Sequence, residues 1–282
     1  MNFEGFFTIN DFFINISYNH GGDIMKKTFF FDLDGTLLDP KANAVPVSTI
    51  NALKRLKEKG HFCAIATGRS LNSIIESKVV DIIDWDGFIC SNGQQVFSNV
   101  NHSIYLKYLD PVLVKQIQQY VIEHNLNMQF QSNPSFLLKD PDQAVLDSHG
   151  FFHEPIPTKI KQFDQEDIEM VMVYTHDSNH FEQLRNIDGI SVYPGQAPYA
   201  DIVSSKFSKY EGIKALLEYK NIDIDDYIAF GDSLNDVEML NHAKLSIAMG
   251  NANPLLKQQA DVITRSVQYD GIYTACMIFD WI

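Results

Sequence analysis

Residues 28–36 read Thr-Phe-Phe-Phe-Asp-Leu-Asp-Gly-Thr. The run Thr28–Phe31 is apolar without alternation, which predicts a strand that is buried on both faces of a parallel sheet. Asp32 and Asp34 follow at the end of this strand, where side chains two residues apart point to the same side. Gly35 permits a sharp turn after them. The stretch therefore predicts either two carboxylates that act together in catalysis or a β-turn with capping aspartates.

Four more apolar runs of strand length end in the same way. They are Phe62–Ala66, Gly87–Cys90, Tyr227–Phe230 and Leu245–Ala248, and they lead into Thr67-Gly68-Arg69, Ser91-Asn92-Gly93, Gly231-Asp232 and Met249-Gly250-Asn251. In an open parallel α/β sheet, ligands bind at the carboxyl ends of the strands. We therefore expect residues as distant in sequence as Asp32, Thr67 and Asp232 to converge at one sheet edge.

End signals predict helices between these strands. Ser48 is the expected N-cap of a helix that Gly60 closes. Asn253 and Pro254 have the residue types of an N-cap and a first helical position. The alternation of strands and helices predicts an α/β fold with a parallel sheet.

The section 100–203 differs from the rest because no phosphate-type strand-end motif occurs in it. It contains predicted strands at 128–131 and 168–175 and a predicted helix around 112–121. We interpret it as a second α/β domain inserted into a catalytic core that consists of residues 25–99 and 204–282.

Composition restricts the class of partner. Asp plus Glu total 36 against 22 for Lys plus Arg, a formal charge of −14, which disfavours binding to nucleic acid or an anionic membrane. No run approaches the roughly 18 apolar residues of a membrane span. Cys63, Cys90 and Cys276 are far apart and lack zinc-type spacing. These features favour a cytoplasmic protein with a small-molecule partner, and they leave monomer and homodimer open.

The first 24 residues differ in character from the rest of the chain. They are rich in Phe, Ile and Asn and contain no Lys or Arg, so they lack the basic region of a secretory signal. Gly21-Gly22 can be encoded by a purine-rich ribosome-binding sequence shortly before Met25. We expect residues 1–24 to be either a poorly ordered extension or an upstream region ahead of a true start at Met25.

The segment 231–236 reads Gly-Asp-Ser-Leu-Asn-Asp, with two acids four residues apart after a predicted strand. Magnesium prefers oxygen ligands, usually one or two carboxylates with water and phosphate. Asp232 and Asp236 are therefore candidate metal ligands, and a turn before a capped helix is the alternative. Thr67 and Gly68 offer a hydroxyl and backbone N–H groups to phosphate oxygens, although a simple loop is the commoner explanation of this tripeptide in isolation.

Lys209 is a candidate for neutralising an anion. Ser208 and Glu211 form a capping-box pattern, which places Lys209 in the first turn of a helix. The helix dipole disfavours a cation there, so an anion nearby would explain the position. A solvated lysine is the alternative, and Lys206 is the competing candidate.

In their order and spacing, these motifs resemble the haloacid dehalogenase superfamily, specifically its Cof-type phosphatases with the larger type IIB cap after the third core strand. The similar stretches are Phe-Asp-Leu-Asp-Gly-Thr-Leu, Ala-Thr-Gly-Arg, Ser-Asn-Gly, the Lys209 region, Gly-Asp-Ser-Leu-Asn-Asp, 248–252, 260–264 and Asp270-Gly271. The resemblance extends from Met25 nearly to the C-terminus. It implies a Rossmann-like parallel-sheet core with an inserted α/β cap that determines substrate specificity.

The resemblance also implies roles for individual residues. Asp32 would be the nucleophile and a Mg²⁺ ligand, and Asp34 the general acid/base, with its backbone carbonyl on the metal. Asp232 would bind the metal directly, and Asp236 would lie in its first or second coordination shell. The implied phosphate-binding residues are Leu33 through its backbone N–H, Thr36, Thr67, Gly68, Lys209 and Asn235.

The implied function is Mg²⁺-dependent hydrolysis of small phosphomonoesters through an aspartyl-phosphate. Sugar phosphates, pyridoxal phosphate and flavin nucleotides are the expected substrates; a phosphomutase or a non-catalytic phosphate-binding regulatory protein are the alternatives. Two departures from the family bear on how the cap docks. Gln94 follows Asn-Gly where the family often has Ala, and Ser205-Lys206-Phe207 stands where Pro-Lys-Gly is common.

Overall fold

The computed structural model describes residues 26–282, so the predicted extension 1–24 lies outside the described residues. Within that range the chain forms an eight-stranded and a five-stranded sheet. No helix of the described part is long and apolar enough to cross a membrane.

In chain order the strands are β1 (Thr28–Phe31), β2 (Phe62–Ala66), β3 (Gly87–Cys90), β4 (Gln95–Asn99), β5 (His102–Leu106), β6 (Asn127–Gln131), β7 (Phe136–Leu137), β8 (Met170–Tyr174), β9 (Ile190–Pro194), β10 (Tyr199–Ser204), β11 (Tyr227–Gly231), β12 (Leu245–Ala248) and β13 (Val262–Ile263). The α-helices are α1 (Val47–Glu58), α2 (Leu71–Glu76), α3 (Pro111–Glu123), α4 (Gln143–Phe152), α5 (Asn179–Leu184), α6 (Lys209–Lys220), α7 (Val237–Asn241), α8 (Pro254–Gln259) and α9 (Gly271–Ile278).

The larger sheet has the order β13-β12-β11-β1-β2-β3-β4-β5. Its strands are parallel except for β4 and β5, which extend one edge as an antiparallel hairpin. The parallel α/β prediction is confirmed, and the apolar runs predicted as strands form β1, β2, β3, β11 and β12. Because β1 lies between β11 and β2, the loops that follow these three strands are neighbours at one edge.

Aromatic packing on both faces fixes the strand that ends at Asp32. The ring of Phe29 lies 5.0 Å from that of Trp281, and Phe31 stacks on Phe230 at 5.1 Å. On the opposite face, Phe30 meets Tyr227 at 5.4 Å. Burial of each such ring stabilises the fold by about 1.5–3 kcal/mol, so β1 is a rigid base for the side chains that follow it.

The smaller sheet is antiparallel, in the order β7-β6-β8-β10-β9. We call the unit built on it, with α3, α4 and α5, the cap, and the unit built on the larger sheet the core. The predicted insertion began at residue 100, whereas β5 still pairs with β4 in the core sheet. We therefore place the start of the cap after Leu106, because this hairpin continues the hydrogen bonding of the core edge.

The predicted helix starts are confirmed in two cases and wrong in one. The Ser208 side chain accepts the N–H of Glu211 at 3.4 Å, and Asn253 caps α8 through the N–H of Leu255 at 2.9 Å. Ser48, in contrast, does not cap α1, which begins at Val47. Its hydroxyl donates to Asp270 at 2.5 Å. A partner more than two hundred residues away in sequence therefore binds the side chain, which does not cap its own helix.

Candidate active site

Three acidic side chains meet where β1 and β11 end. Asp32, Asp232 and Asp236 are buried, and each offers a carboxylate oxygen within 4.8 Å of the others. Asp236 is fixed locally, because its Oδ2 accepts the backbone N–H groups of Asp232 and Ser233, both at 2.9 Å. The parallel pairing of β1 with β11 brings together acids that are some two hundred residues apart in sequence.

The side chain of Lys209 reaches this cluster from the first turn of α6. Its ammonium group is completely buried and donates to Asp32 Oδ1 at 2.5 Å and to Asp236 Oδ1 at 2.7 Å. The competing residue, Lys206, is exposed. Gly93, at φ +93°, permits the close approach of α6, since a Cβ there would lie 1.9 Å from the carbonyl oxygen of Ser208.

The cluster carries more negative than positive charge. Burial and the neighbouring Asp236 raise the pKa of Asp32 to about 7, although Lys209 pulls it down. Burial and the charge of Asp32 raise the pKa of Asp232 well above its usual value. Burial opposes the ammonium of Lys209, but the two carboxylates outweigh it and raise the pKa of this lysine. Three carboxylates beside one ammonium fit a hard divalent cation in donor type and in charge.

Asp232 is surrounded by polar groups from several segments. Asn251 donates to its Oδ2 at 3.3 Å, and Gln196, which belongs to the cap, donates to the same oxygen at 3.1 Å. Gly35, at φ +84°, is required here because a Cβ would lie 2.3 Å from Asp232 Oδ2. Thr36, a predicted phosphate-binding residue, is fully buried, and its hydroxyl lies 3.4 Å from Asp232 Oδ1. The structure thus places Thr36 against a candidate metal ligand.

Asp34 faces a different partner from Asp32. The guanidinium of Arg69 holds both its oxygens, with Nε at 2.8 Å and Nη2 at 2.6 Å. The third nitrogen of Arg69 contacts Glu154 of the cap at 2.9 Å. Burial opposes the charge of Arg69, but Asp34 outweighs it and raises the pKa of the guanidinium. The side chain of Asp34 is not a member of the acidic cluster, and the metal contact of its backbone carbonyl stays a prediction.

Sequence reasoning gave Arg69 and Glu154 no role. Arg69 was visible as the last residue of the strand-end cluster Thr67-Gly68-Arg69, and its position beside a predicted phosphate loop was a usable signal. Glu154 lies in the cap after α4, and nothing in its local sequence marks it. Only the docking of the cap on the core brings the two side chains together.

The predicted phosphate-binding residues divide into two groups. Thr67, Gly68 and Asn235 line a cavity between core and cap, and Thr67 Oγ1 accepts the N–H of Arg69 at 3.1 Å. Leu33, in contrast, is fully buried, and the predicted contact of its backbone N–H with phosphate stays a prediction.

A chain of amides joins the cavity floor to the cap. Asn235 donates to Asn92 Oδ1 at 2.8 Å, and Asn92 Nδ2 reaches Asp201 of β10 at 3.4 Å. The side-chain oxygen of Asn235, Oδ1, is buried and finds no hydrogen-bond partner among residues 26–282. It is therefore available to a ligand or a water molecule in the cavity.

Gln94, one of the departures from the family pattern, connects the core to both ends of the cap. Its side-chain oxygen accepts the N–H of Ser204 at 2.8 Å, and its amide donates to the carbonyl of Glu169. Its own carbonyl accepts the N–H of Lys107. An alanine could not make the two side-chain contacts, so this departure ties the cap more firmly to the core.

The cavity itself has a volume of about 500 Å³. Its floor consists of core residues, among them Asp32, Asp34 and Arg69, and its roof consists of cap residues from the smaller sheet and the segment after α4. A cavity of this size can enclose a small ligand whose reacting group lies on the floor.

Comparison with known proteins agrees with this geometry. The family model described as haloacid dehalogenase-like hydrolase matches residues 29–276. The chain is 30% identical over 249 residues to "Putative phosphatase YkrA" of Bacillus subtilis, covering 88% of this chain and 95% of that protein. It is 27% identical over 259 residues to "Pyridoxal phosphate phosphatase YbhA" of Escherichia coli, covering 86% and 94%. The structure of the subclass IIB sugar phosphatase BT4131 aligns with a TM-score of 0.82 at 26% identity, over 91% of this chain and all of that one.

Proposed function

The chain belongs to the haloacid dehalogenase-like hydrolases and is a phosphatase of that family, and from this premise we propose that it hydrolyses small phosphomonoesters with Mg²⁺ through an aspartyl-phosphate on Asp32. The observation that carries the proposal is the meeting of Asp32, Asp232 and Asp236 with the buried ammonium of Lys209. Phosphoryl transfer needs mostly alignment and neutralisation of charge, and this cluster supplies both.

Asp32, Asp232 and Asp236 would hold the metal ion. When bound, Mg²⁺ withdraws charge from the phosphate oxygens and so favours attack by an anionic nucleophile. Lys209 contributes a second positive charge on the nucleophile itself, at 2.5 Å from Asp32. Thr67 and Gly68, on the cavity floor, are proposed to orient the phosphate through a hydroxyl and a backbone N–H.

In the first half of the proposed reaction, a carboxylate oxygen of Asp32 forms a bond to phosphorus and the bond from phosphorus to the ester oxygen breaks. The departing oxygen takes a proton from Asp34, and the alcohol leaves. In the second half, Asp34 takes a proton from water, whose oxygen attacks phosphorus. The bond to Asp32 breaks, which releases inorganic phosphate and restores both carboxyl groups to their starting forms.

Arg69 is proposed to control the position of Asp34. Its two hydrogen bonds fix the direction of both carboxylate oxygens. To carry a proton in the first half, Asp34 has to lose at least one of these bonds. The contact of Arg69 with Glu154 offers the guanidinium a second anionic partner.

The cap is proposed to exclude bulk water while the phospho-enzyme forms and to select the leaving group. The expected substrates are sugar phosphates, pyridoxal phosphate and flavin nucleotides; the names of the E. coli relative and of BT4131 support the first two. A cytoplasmic location and a monomeric or homodimeric state stay predictions from the sequence.

The test is release of inorganic phosphate from p-nitrophenyl phosphate and a panel of metabolite phosphates. We expect turnover with Mg²⁺, its loss in EDTA, and its return when Mg²⁺ is added in excess. Lys209→Met should lower the rate strongly, and the matched variant Lys206→Met should behave like the wild type because Lys206 is exposed. Undiminished turnover in EDTA would contradict the metal assignment, and isomerised product without free phosphate would favour the phosphomutase.

A further inference from the structure

We propose that the cavity admits phosphomonoesters whose leaving group is neutral or cationic, and that it excludes those with a second anionic group. This inference rests on the proposed phosphatase function, because it assumes that the phosphate lies on the floor beside Asp32. The leaving group then extends towards the roof, and the charges of the roof decide which leaving groups fit.

The roof contributes negative charge without positive charge. Glu154, Glu169 and Asp201 line the cavity from the cap. Among the lining residues that the structure describes, Arg69 alone carries a guanidinium or ammonium group. That guanidinium already contacts Asp34 and Glu154, so its single positive charge faces two carboxylates of the protein before any substrate anion arrives.

Within residues 26–282, two of the roof acids accept hydrogen bonds from neutral side chains only. Glu169 accepts a hydrogen bond from the Ser91 hydroxyl at 2.9 Å, and Asp201 accepts one from the Asn92 amide at 3.4 Å. Neither of these contacts compensates a charge. A second phosphate or carboxylate on the substrate would therefore lie beside these carboxyl groups without a cation to compensate its charge.

The titration behaviour of the roof agrees with this. Burial raises the pKa of Glu169, and it raises the pKa of Asp201 to about 7, because a carboxylate loses hydration in this region. An anionic group of the substrate would lose hydration there in the same way. Burial also lowers the pKa of His149, another lining residue, and an imidazole of this kind adds no positive charge at neutral pH.

The other polar groups of the roof suit hydroxyl and amino groups. The cavity is lined by Gln129, Gln131, Ser132 and Asn133, and also by Tyr199. Amides and hydroxyls donate and accept hydrogen bonds, and the carboxylates accept them from hydroxyl or ammonium groups. A phosphomutase that holds a bisphosphate would need a second cationic site, which these residues do not supply.

The expected discrimination follows from simple electrostatics. At an effective dielectric constant of about 20, an anionic group about 7 Å from an ionised carboxylate without a cationic partner weakens the binding of the substrate by roughly tenfold or more. An anionic leaving group should therefore lose at least about tenfold in kcat/KM against a neutral one of equal size, and a cationic one should match or exceed the neutral one.

The experiment compares three six-carbon phosphomonoesters of nearly equal size: glucose 6-phosphate, glucosamine 6-phosphate and 6-phosphogluconate. For each, kcat/KM is measured with Mg²⁺, together with its inhibition constant against p-nitrophenyl phosphate. We expect the gluconate to be the poorest by about tenfold or more in both measurements. Equal or better performance of the gluconate would overturn the inference.

Glu169→Gln sharpens the test, because the amide keeps an oxygen for Ser91 and removes one charge. It should raise the relative kcat/KM for 6-phosphogluconate several-fold. The matched control is Asp167→Asn, an exposed cap residue outside the cavity, which should leave the ratio unchanged; an equal change in both variants contradicts the assignment to Glu169. If p-nitrophenyl phosphate is not hydrolysed at all, the proposed function fails; if it is hydrolysed without charge discrimination, only this inference fails.

Discussion

The acidic side chains on the floor and on the roof of the cavity differ in their partners. On the floor, Asp32 lies 2.5 Å from the ammonium of Lys209, and Asp34 is held by two nitrogens of Arg69. On the roof, Glu169 and Asp201 have a hydroxyl and an amide as partners. The floor therefore pairs Asp32 and Asp34 with cations, whereas Glu169 and Asp201 of the roof have no cationic hydrogen-bond partner among residues 26–282.

This difference matches the two tasks of the proposed enzyme. Phosphoryl transfer needs charges that are fixed in place before the substrate arrives, and a fixed set of charges requires residues of defined type at defined strand ends. Selection among leaving groups needs only a cavity of suitable shape and a suitable electrostatic field, which many different side chains can supply. We expect substitutions on the floor to affect the chemical step and substitutions on the roof to affect binding and stability.

The largest expected effect is that of Asp32→Asn. The amide cannot form the phospho-enzyme, so kcat should fall about 10⁴-fold or more, as when the nucleophile of a covalent enzyme is removed. Steady-state assays measure the rate, and mass spectrometry of acid-quenched protein tests for the phosphoryl adduct. Circular dichroism should show an intact fold, and a rate near that of the wild type would remove Asp32 from the chemistry.

Asp34→Asn should have a smaller effect, which separates the two aspartates of the floor. An amide cannot exchange the proton, so turnover should slow by roughly 10²–10⁴-fold, the usual contribution of one general acid/base. The loss should be smaller for p-nitrophenyl phosphate, whose leaving group needs little protonation, when formation of the phospho-enzyme is followed in a single turnover. An equal loss with every leaving group would argue against a proton-donating role.

Asp201→Asn tests the roof through stability. The pKa of Asp201 is raised from its usual 3.8 to about 7 by burial, so between these values the unfolded chain releases a proton that the folded chain retains. The cost to folding is absent below pH 3.8 and complete above pH 7. The amide should therefore raise the free energy of unfolding at pH 8 by about 2–4 kcal/mol and change it little at pH 4.

Urea denaturation in EDTA at both pH values measures this, with the exposed Asp167→Asn as a control. A stabilisation that is the same at pH 4 and pH 8 would show that the carboxyl of Asp201 does not carry the raised pKa.

The smallest expected effect is that of Glu154→Gln, which weakens the ion pair between the cap and Arg69. The side chains of Arg69 and Glu154 are both partly exposed, so we expect the loss of their ion pair to weaken the docking of the cap by about 1 kcal/mol or less. For a substrate with a neutral leaving group, KM should rise a few-fold with kcat nearly unchanged, because the cap closes less firmly. Glu182→Gln, which breaks an exposed ion pair elsewhere in the cap, should leave KM as it is. A large fall in kcat would instead place Glu154 in the chemical step.

Much of the core could be predicted because its signals are local. An apolar run buried on both faces stops where polar residues begin, and β1, β2, β3 and β12 have the predicted bounds. The rule that ligands bind at the carboxyl edge of a parallel sheet then brought Asp32 and Asp232 together without any coordinates. The start of the cap was harder to place, because β4 and β5 carry no strand-end motif and their pairing depends on the neighbouring edge of β3.

The sequence alone determined the parallel α/β core and the acids at its edge, since each depends on the residue types at the end of one element, and it left Lys209 and Lys206 as alternative candidates for the cation beside these acids. Only the tertiary structure decided the partners: Arg69 for Asp34, Glu154 for Arg69, Gln196 for Asp232, and Asp270 for Ser48. These pairs join segments that are far apart along the chain. Their contacts depend on how the cap and the helices dock, and no local pattern of residues encodes that geometry.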